Sequence, residues 1–163
     1  MNQIVILCVE DEPEVRDAIL RDLQPFTEHF RLESAEDVAD AHDVTAECEK
    51  DGDHVGLLLC DHVLPGRNGV DYLVELNGQP ETHSIRKVLM TGQAGLEDTI
   101  KAINDGGLDH YIAKPWTVEE LHKVVREQLT EYVLETEDNL LPYVDTLDGT
   151  RLLEAISHRA SDR

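Results

Sequence analysis

Glu10, Asp11 and Glu12 stand in a row directly after an apolar run; Asp61 closes a second such run, Thr91 a third and Lys114 a fourth. If these positions meet, one site collects carboxylates, a hydroxyl and an ammonium. Two carboxylates about 4 Å apart repel by roughly 4 kcal/mol at an effective dielectric near 20, a large share of a domain's stability, so a cation must join them. Carboxylates and carbonyls are hard oxygen ligands that suit Mg²⁺, and no Cys or His follows a strand with zinc-ligand spacing. A carboxylate not consumed in holding the metal can act as a nucleophile toward a phosphoryl group, with the metal and a lysine stabilising the equatorial oxygens. Asp61, isolated from the other acids, is the candidate nucleophile.

The elements that must position these groups follow from hydrophobic periodicity. Ile4 to Val9 is nearly all apolar and rich in β-branched residues, the pattern of a strand covered on both faces. Pro13 opens a helix with Val15, Ala18, Ile19 and Leu23 on one face, and Pro25 ends it. Phe30 and Leu32 mark a short strand, and Ser34 with Glu36 and Asp37 reads as the cap of a second helix carrying Val38, Ala41 and Val44. Val55 to Cys60 is a second buried strand, and Val70, Leu73, Val74 and Leu76 form a third helix. Ile85 to Met90 is a fourth strand; Leu96, Ile100 and Ile103 give the next helix a buried stripe. His110 to Ala113 is a fifth strand, followed by a long helix from Thr117. Regular strand-helix alternation implies a doubly wound α/β fold, a parallel sheet with helices on both faces, whose ligands bind beyond the carboxyl ends of the strands.

Composition narrows the functions. Fourteen Lys and Arg against 35 Asp and Glu leave a formal charge of −21. Without a basic patch the chain gains no counterion-release energy on nucleic acid and is repelled by an anionic leaflet, so direct nucleic-acid or membrane binding is not expected. No apolar run approaches the length of a bilayer span, and the first residues lack a basic signal-peptide start, so a cytoplasmic location is expected. Cys8, Cys48 and Cys60 read as buried free thiols, and the histidines mostly as surface residues.

Val9-Glu10-Asp11-Glu12-Pro13, Asp61 with Pro65-Gly66 and Asn68-Gly69, Thr91-Gly92 and Lys114-Pro115 together resemble the receiver domain of bacterial two-component response regulators, over residues 4 to about 130. The resemblance implies a flavodoxin-like five-stranded sheet of order 2-1-3-4-5. It implies that Asp61 is the phosphoacceptor of a histidine kinase or phosphotransfer protein, and that Glu10, Asp11, Asp61 and the backbone carbonyl of Val63 hold Mg²⁺. Thr91 would bond the phosphoryl group, Lys114 would pair with it, and Tyr111 would be the aromatic switch. Such a domain transfers and hydrolyses only its own phosphoryl group and presents a changed protein-binding surface to a downstream target or fused output domain; it is not expected to be an enzyme acting on an outside substrate. Glu10 replaces the more usual aspartate, Leu64 stands where methionine is frequent, His62 occupies a variable position, and Gln93 sits where phosphate lifetime is tuned in the family.

Simpler readings stand beside these. Glu10 to Glu12 also suit a helix N-terminus, Thr91 a turn, Lys114 a surface lysine and Tyr111 core packing. Trp116 reads as a packing residue, and Ser157-His158-Arg159 as part of a frayed tail. A pseudo-receiver, keeping the shape as a scaffold without phosphorylation, is the main alternative. A haloacid-dehalogenase-type phosphatase is disfavoured because Asp61-His62-Val63 lacks a second aspartate two residues on. Domain bounds are set at 1–130 for the receiver and 131–163 for a helical extension. Val118, Leu121, Val124, Val125, Leu129, Tyr132 and Val133 exceed what one sheet face can cover, and Leu152, Leu153 and Ile156 suggest a further helix from about Asp148. The extension is expected either to form a homodimer or to lead to an output domain.

Overall fold

The computed structural model describes residues 2–92 and 96–162. Its order is β1 (Ile4–Val9), α1 (Pro13–Asp22), β2 (Arg31–Ala35), α2 (Val38–Lys50), β3 (His54–Asp61), α3 (Gly69–Asn77), β4 (Arg86–Thr91), α4 (Leu96–Asn104), β5 (His110–Ala113), α5 (Val118–Thr136) and α6 (Gly149–Ser161). The strands form one five-stranded, wholly parallel sheet in the order β2-β1-β3-β4-β5. This is the flavodoxin-like arrangement.

β1 is buried along its whole length, and its side chains alternate between two cores. Ile4, Ile6 and Cys8 join the layer that holds Ile19 of α1 and Leu121, Val125 and Leu129 of α5. Val5, Leu7 and Val9 join the layer of Ala41, Cys48, Val70 and Leu73 from α2 and α3. β3 needs an irregularity to serve both: its register against β1 shifts between Val5 and Ile6, so Val55 pairs with Val5 but Leu57 with Ile6. Gly56 is the extra residue of this bulge, and a Cβ there would come within 2.6 Å of Ile4 and 2.8 Å of the Tyr132 ring. Beyond it, the two-residue period puts Asp61 in line with Leu57 and Leu59, and Glu10 in line with Ile6 and Cys8. The two carboxylates therefore lie toward the same layer.

Helix boundaries have local causes. Pro13 occupies the first turn of α1; α2 is capped by Asp37, whose carboxylate accepts from Asp40 N at 2.7 Å, while Ser34 belongs to β2 rather than to the cap. Asn68 caps α3 through Val70 N at 2.7 Å, and Thr117 caps α5 through Glu120 N at 3.1 Å. All three cysteines are buried and free.

The expected stripe of α4 is not buried. Ile100 and Ile103 are 47% and 56% exposed, and Ala102 is the residue sealed against the α3 layer. A helical period shows that apolar residues share a face, but not that a neighbour covers it; here the small side chain makes the contact. The side chain of Leu96 lies outside the described residues.

α5 runs unbroken through residue 130, and part of its surplus apolar face is covered by its own chain. Leu140, Leu147 and Leu152 are buried in the layer shared with α1 and α5, and the Tyr143 ring stacks on Phe30. Asp148 caps α6, its backbone N–H donates to Thr130 Oγ1, and Arg159 donates to the carbonyls of Leu134, Glu137 and Asp138 at the end of α5. Leu141 and Leu153 remain exposed on this segment. No helix among the described residues is long and apolar enough to cross a membrane.

Candidate functional site

Because all strands point the same way, the residues that close them share one rim of the sheet. β1 delivers Glu10 and Asp11, the neighbouring β3 delivers Asp61, β4 ends at Thr91, and Lys114 follows β5. Glu10, Asp61 and Thr91 are buried, whereas Asp11 is partly exposed. Each acid of the trio Glu10, Asp11 and Asp61 offers a carboxylate oxygen, and these oxygens lie within 4.8 Å of one another. The ammonium of Lys114 reaches Glu10 Oε2 at 2.8 Å and Asp61 Oδ1 at 3.3 Å.

The electrostatics follow from burial and crowding. Burial pushes the Glu10 carboxyl up from its ordinary value and the charge of Asp61 adds to this, while the bond from Lys114 opposes both. Burial alone would lower Lys114, but its bonds to Glu10 and Asp61 outweigh that and hold the ammonium protonated. Two close acids with one ammonium leave negative charge uncompensated, which is the environment a divalent cation needs. The donor set is all oxygen, so the residues present fit Mg²⁺.

The loop after β3 is shaped by close packing. Gly69 N donates to His62 O at 2.8 Å, and a Cβ on Gly69 would lie 2.0 Å from the Asp61 carbonyl oxygen, so only glycine admits this approach. Gly66 takes a positive φ of 75° in the turn, and Val63 bridges to Asn68. Val63 itself is exposed at the rim. On the other side, the carbonyl of Thr91 accepts from Lys114 N at 3.1 Å and from the Tyr111 hydroxyl at 3.3 Å, so one backbone group joins β4, β5 and the lysine. Tyr111 is exposed, and Gln93 lies outside the described residues.

Residues 6–126 match the family model of the response regulator receiver domain. The chain belongs to that family. As a receiver it is 32% identical over 127 residues to the hydrogenase transcriptional regulatory protein HoxA of Cupriavidus necator, covering 77% of this chain and 24% of HoxA. It is also 32% identical over 116 residues to the phosphate regulon transcriptional regulatory protein PhoB of Escherichia coli, covering 71% of this chain and 47% of PhoB. The receiver thus spans less than half the length of these relatives. Among solved structures, the signal receiver domain of an HD domain-containing protein from Pseudomonas fluorescens Pf-5 superposes with a TM-score of 0.73 at 27% identity, covering 85% of this chain and 96% of that one.

Sequence reasoning brought together Glu10, Asp11, Asp61, Thr91 and Lys114, but it left several buried polar groups unread, His62 and Lys87 among them. His62 is buried rather than on the surface, with Nε2 2.8 Å from Asp98 of α4. Lys87 is 1% exposed in β4 and donates to the carbonyls of Ile85 and His83, with its pKa lowered by burial. Neither has a local signal: the partner of His62 is 36 residues away, and Lys87 sits in an apolar run where a charge reads as an interruption.

Proposed function

We propose that this receiver is a Mg²⁺-dependent phosphorylation switch in which Asp61 accepts the phosphoryl group of a histidine kinase or phosphotransfer protein. The convergence of Glu10, Asp11 and Asp61 beside Lys114 carries this reading. An Asp61 carboxylate oxygen attacks phosphorus, the bond to the donor breaks, and the donor leaves with its electron pair. Glu10, Asp11, Asp61 and the Val63 carbonyl would hold the ion, and bound Mg²⁺ would neutralise the oxygens of the transferring group. Lys114 pairs with the new phosphoryl oxygens, leaving Glu10, and Thr91 donates its hydroxyl to them. The added charge of about −1.5 to −2 acts on Thr91, whose carbonyl is already tied to Tyr111 and Lys114, and so reaches β5 and α4.

The output is a changed protein-binding surface, for a cytoplasmic target or an output domain of the kind that fills the remaining length of HoxA and PhoB. Part of the apolar surplus of α5 is covered within the chain by Leu140, Leu147 and Leu152, while Leu141 and Leu153 stay exposed on the extension; residues 131–163 are proposed as the surface for a second copy or the lead to an output domain.

The test is incubation with acetyl phosphate and Mg²⁺, followed by intact mass. One phosphoryl unit should add to the protein, and none to Asp61→Asn or in the presence of a chelator. An unmodified wild-type protein would leave the scaffold reading, which Glu10 favours by drawing Lys114 closer to itself than to Asp61.

A further inference from the structure

Among the described side chains of α4, Ile100 and Ile103 point outward, the Lys101–Asp71 ion pair joins two side chains that are each about half exposed, and Ala102 is sealed against the α3 layer. One tie differs. His62, the residue after the phosphoacceptor, has a side chain only 7% exposed, and its Nε2 lies 2.8 Å from Asp98 Oδ2 in the first turns of α4. The pair spans a cleft of about 460 Å³ between the loop after β3 and α4, lined by Val63, Leu64, Arg67 and Asn68 as well as by the pair itself.

The chemistry of this tie is lopsided. A carboxylate only accepts, so Nε2 carries the hydrogen that is donated to Asp98. The other ring nitrogen, Nδ1, is buried and has no hydrogen-bond partner among the described residues. A buried polar atom left unpaired is unfavourable, so the imidazole sits here because of one bond made at the expense of another. Such a side chain has a strong reason to stay while Asp98 is in reach and little reason once α4 moves away.

We propose that His62 is a positioning residue that tethers α4 to the phosphoacceptor end of β3 and opposes the shift that phosphorylation of Asp61 drives. This rests on the receiver reading above. In the structure Lys114 lies closer to Glu10 than to Asp61, and the tether belongs to that arrangement. A contact made in one arrangement and absent from another sets the balance between them by its own free energy, and removing it favours the other.

Beryllofluoride with Mg²⁺ is the probe, a stand-in for the phosphoryl group, titrated against the full chain and read by the fluorescence of its single tryptophan, Trp116. His62→Leu and Asp98→Ala should each lower the half-saturating concentration about fivefold, and the double variant no further, since both remove the same bond. His62→Gln, which keeps an N–H for Asp98, should return to within about twofold of wild type. A purely structural histidine would lower the melting temperature with unchanged half-saturation, and that outcome, or additive effects in the double variant, overturns the tether. Asp98 is partly exposed on a helix surface, so Asp98→Ala gives the answer even where His62→Leu fails to fold. A wild-type protein silent to beryllofluoride would sink the phosphorylation reading and the tether with it, whereas a responding wild type with unchanged variants sinks the tether alone.

Discussion

Lys114 divides one positive charge between Glu10 at 2.8 Å and Asp61 at 3.3 Å, and the glutamate at position 10 has the length to take the nearer share. Its second oxygen accepts from Glu12 N at 3.3 Å, so both oxygens of a nearly sealed side chain are engaged before any ion arrives. Glu10→Gln keeps one acceptor oxygen and the side-chain volume but removes a negative charge. The remaining acids then attract a divalent ion less, and the Mg²⁺ concentration for half-maximal phosphorylation by acetyl phosphate should rise about tenfold. Lys114, whose nearer partner is then neutral, should still pair with Asp61, so the maximal extent of phosphorylation at saturating Mg²⁺ should hold. An unchanged Mg²⁺ midpoint would remove Glu10 from the ion's ligand set and leave it as the lysine's counter-charge alone.

At the scale of elements, α6 is bound into the receiver by apolar burial and by the capping of α5. Leu152 is fully buried in the layer that includes Phe26, Phe30 and Leu129, and Arg159 takes up carbonyls that the end of α5 would otherwise present to water. Leu152→Ala should therefore cost about 2–5 kcal/mol of the whole domain's stability in a single urea transition; a separate early transition for the C-terminal helix would show that it folds by itself. The same elements show what a linear reading can reach. β1 and the core of β3 were legible because a strand covered on both faces is apolar at every position. The bulge at Gly56 was not, since its extra residue exists only relative to the register of β1. The stripe of α4 was visible as a stripe, but Ile100 and Ile103 look the same in sequence whether a neighbour covers them or solvent does. At the rim, Asp61 and Lys114 were marked by closing apolar runs, whereas the neighbourhood of β1 and β3 came from family resemblance, and the His62–Asp98 tie depends on a fold that periodicity does not encode.

Across the whole molecule the excess of acids is the largest unbalanced interaction, a formal charge of −21 on 163 residues. Two effects of salt compete. Screening weakens the ion pairs that hold the surface, such as Arg31–Asp51, Lys101–Asp71 and Arg151–Glu131, but each has at least one partner well exposed to solvent and such pairs contribute only about 0–1 kcal/mol. Screening also weakens the repulsion among the surplus acids, which acts over the whole surface and grows with the square of the net charge. Raising salt from about 10 mM to about 100 mM shortens the screening length from about 30 Å to about 10 Å, reaching the long-range repulsion before the contact pairs. Repulsion should win, and the melting temperature in chelator should rise by about 2–4 °C for each kcal/mol of repulsion removed. Magnesium at a concentration too low to screen should raise it further in the wild type and less in Asp61→Asn, because one part of the repulsion is local to the rim where Glu10, Asp11 and Asp61 meet. A melting temperature that falls with salt would mean that the surface pairs, and not the net charge, govern the stability of this chain.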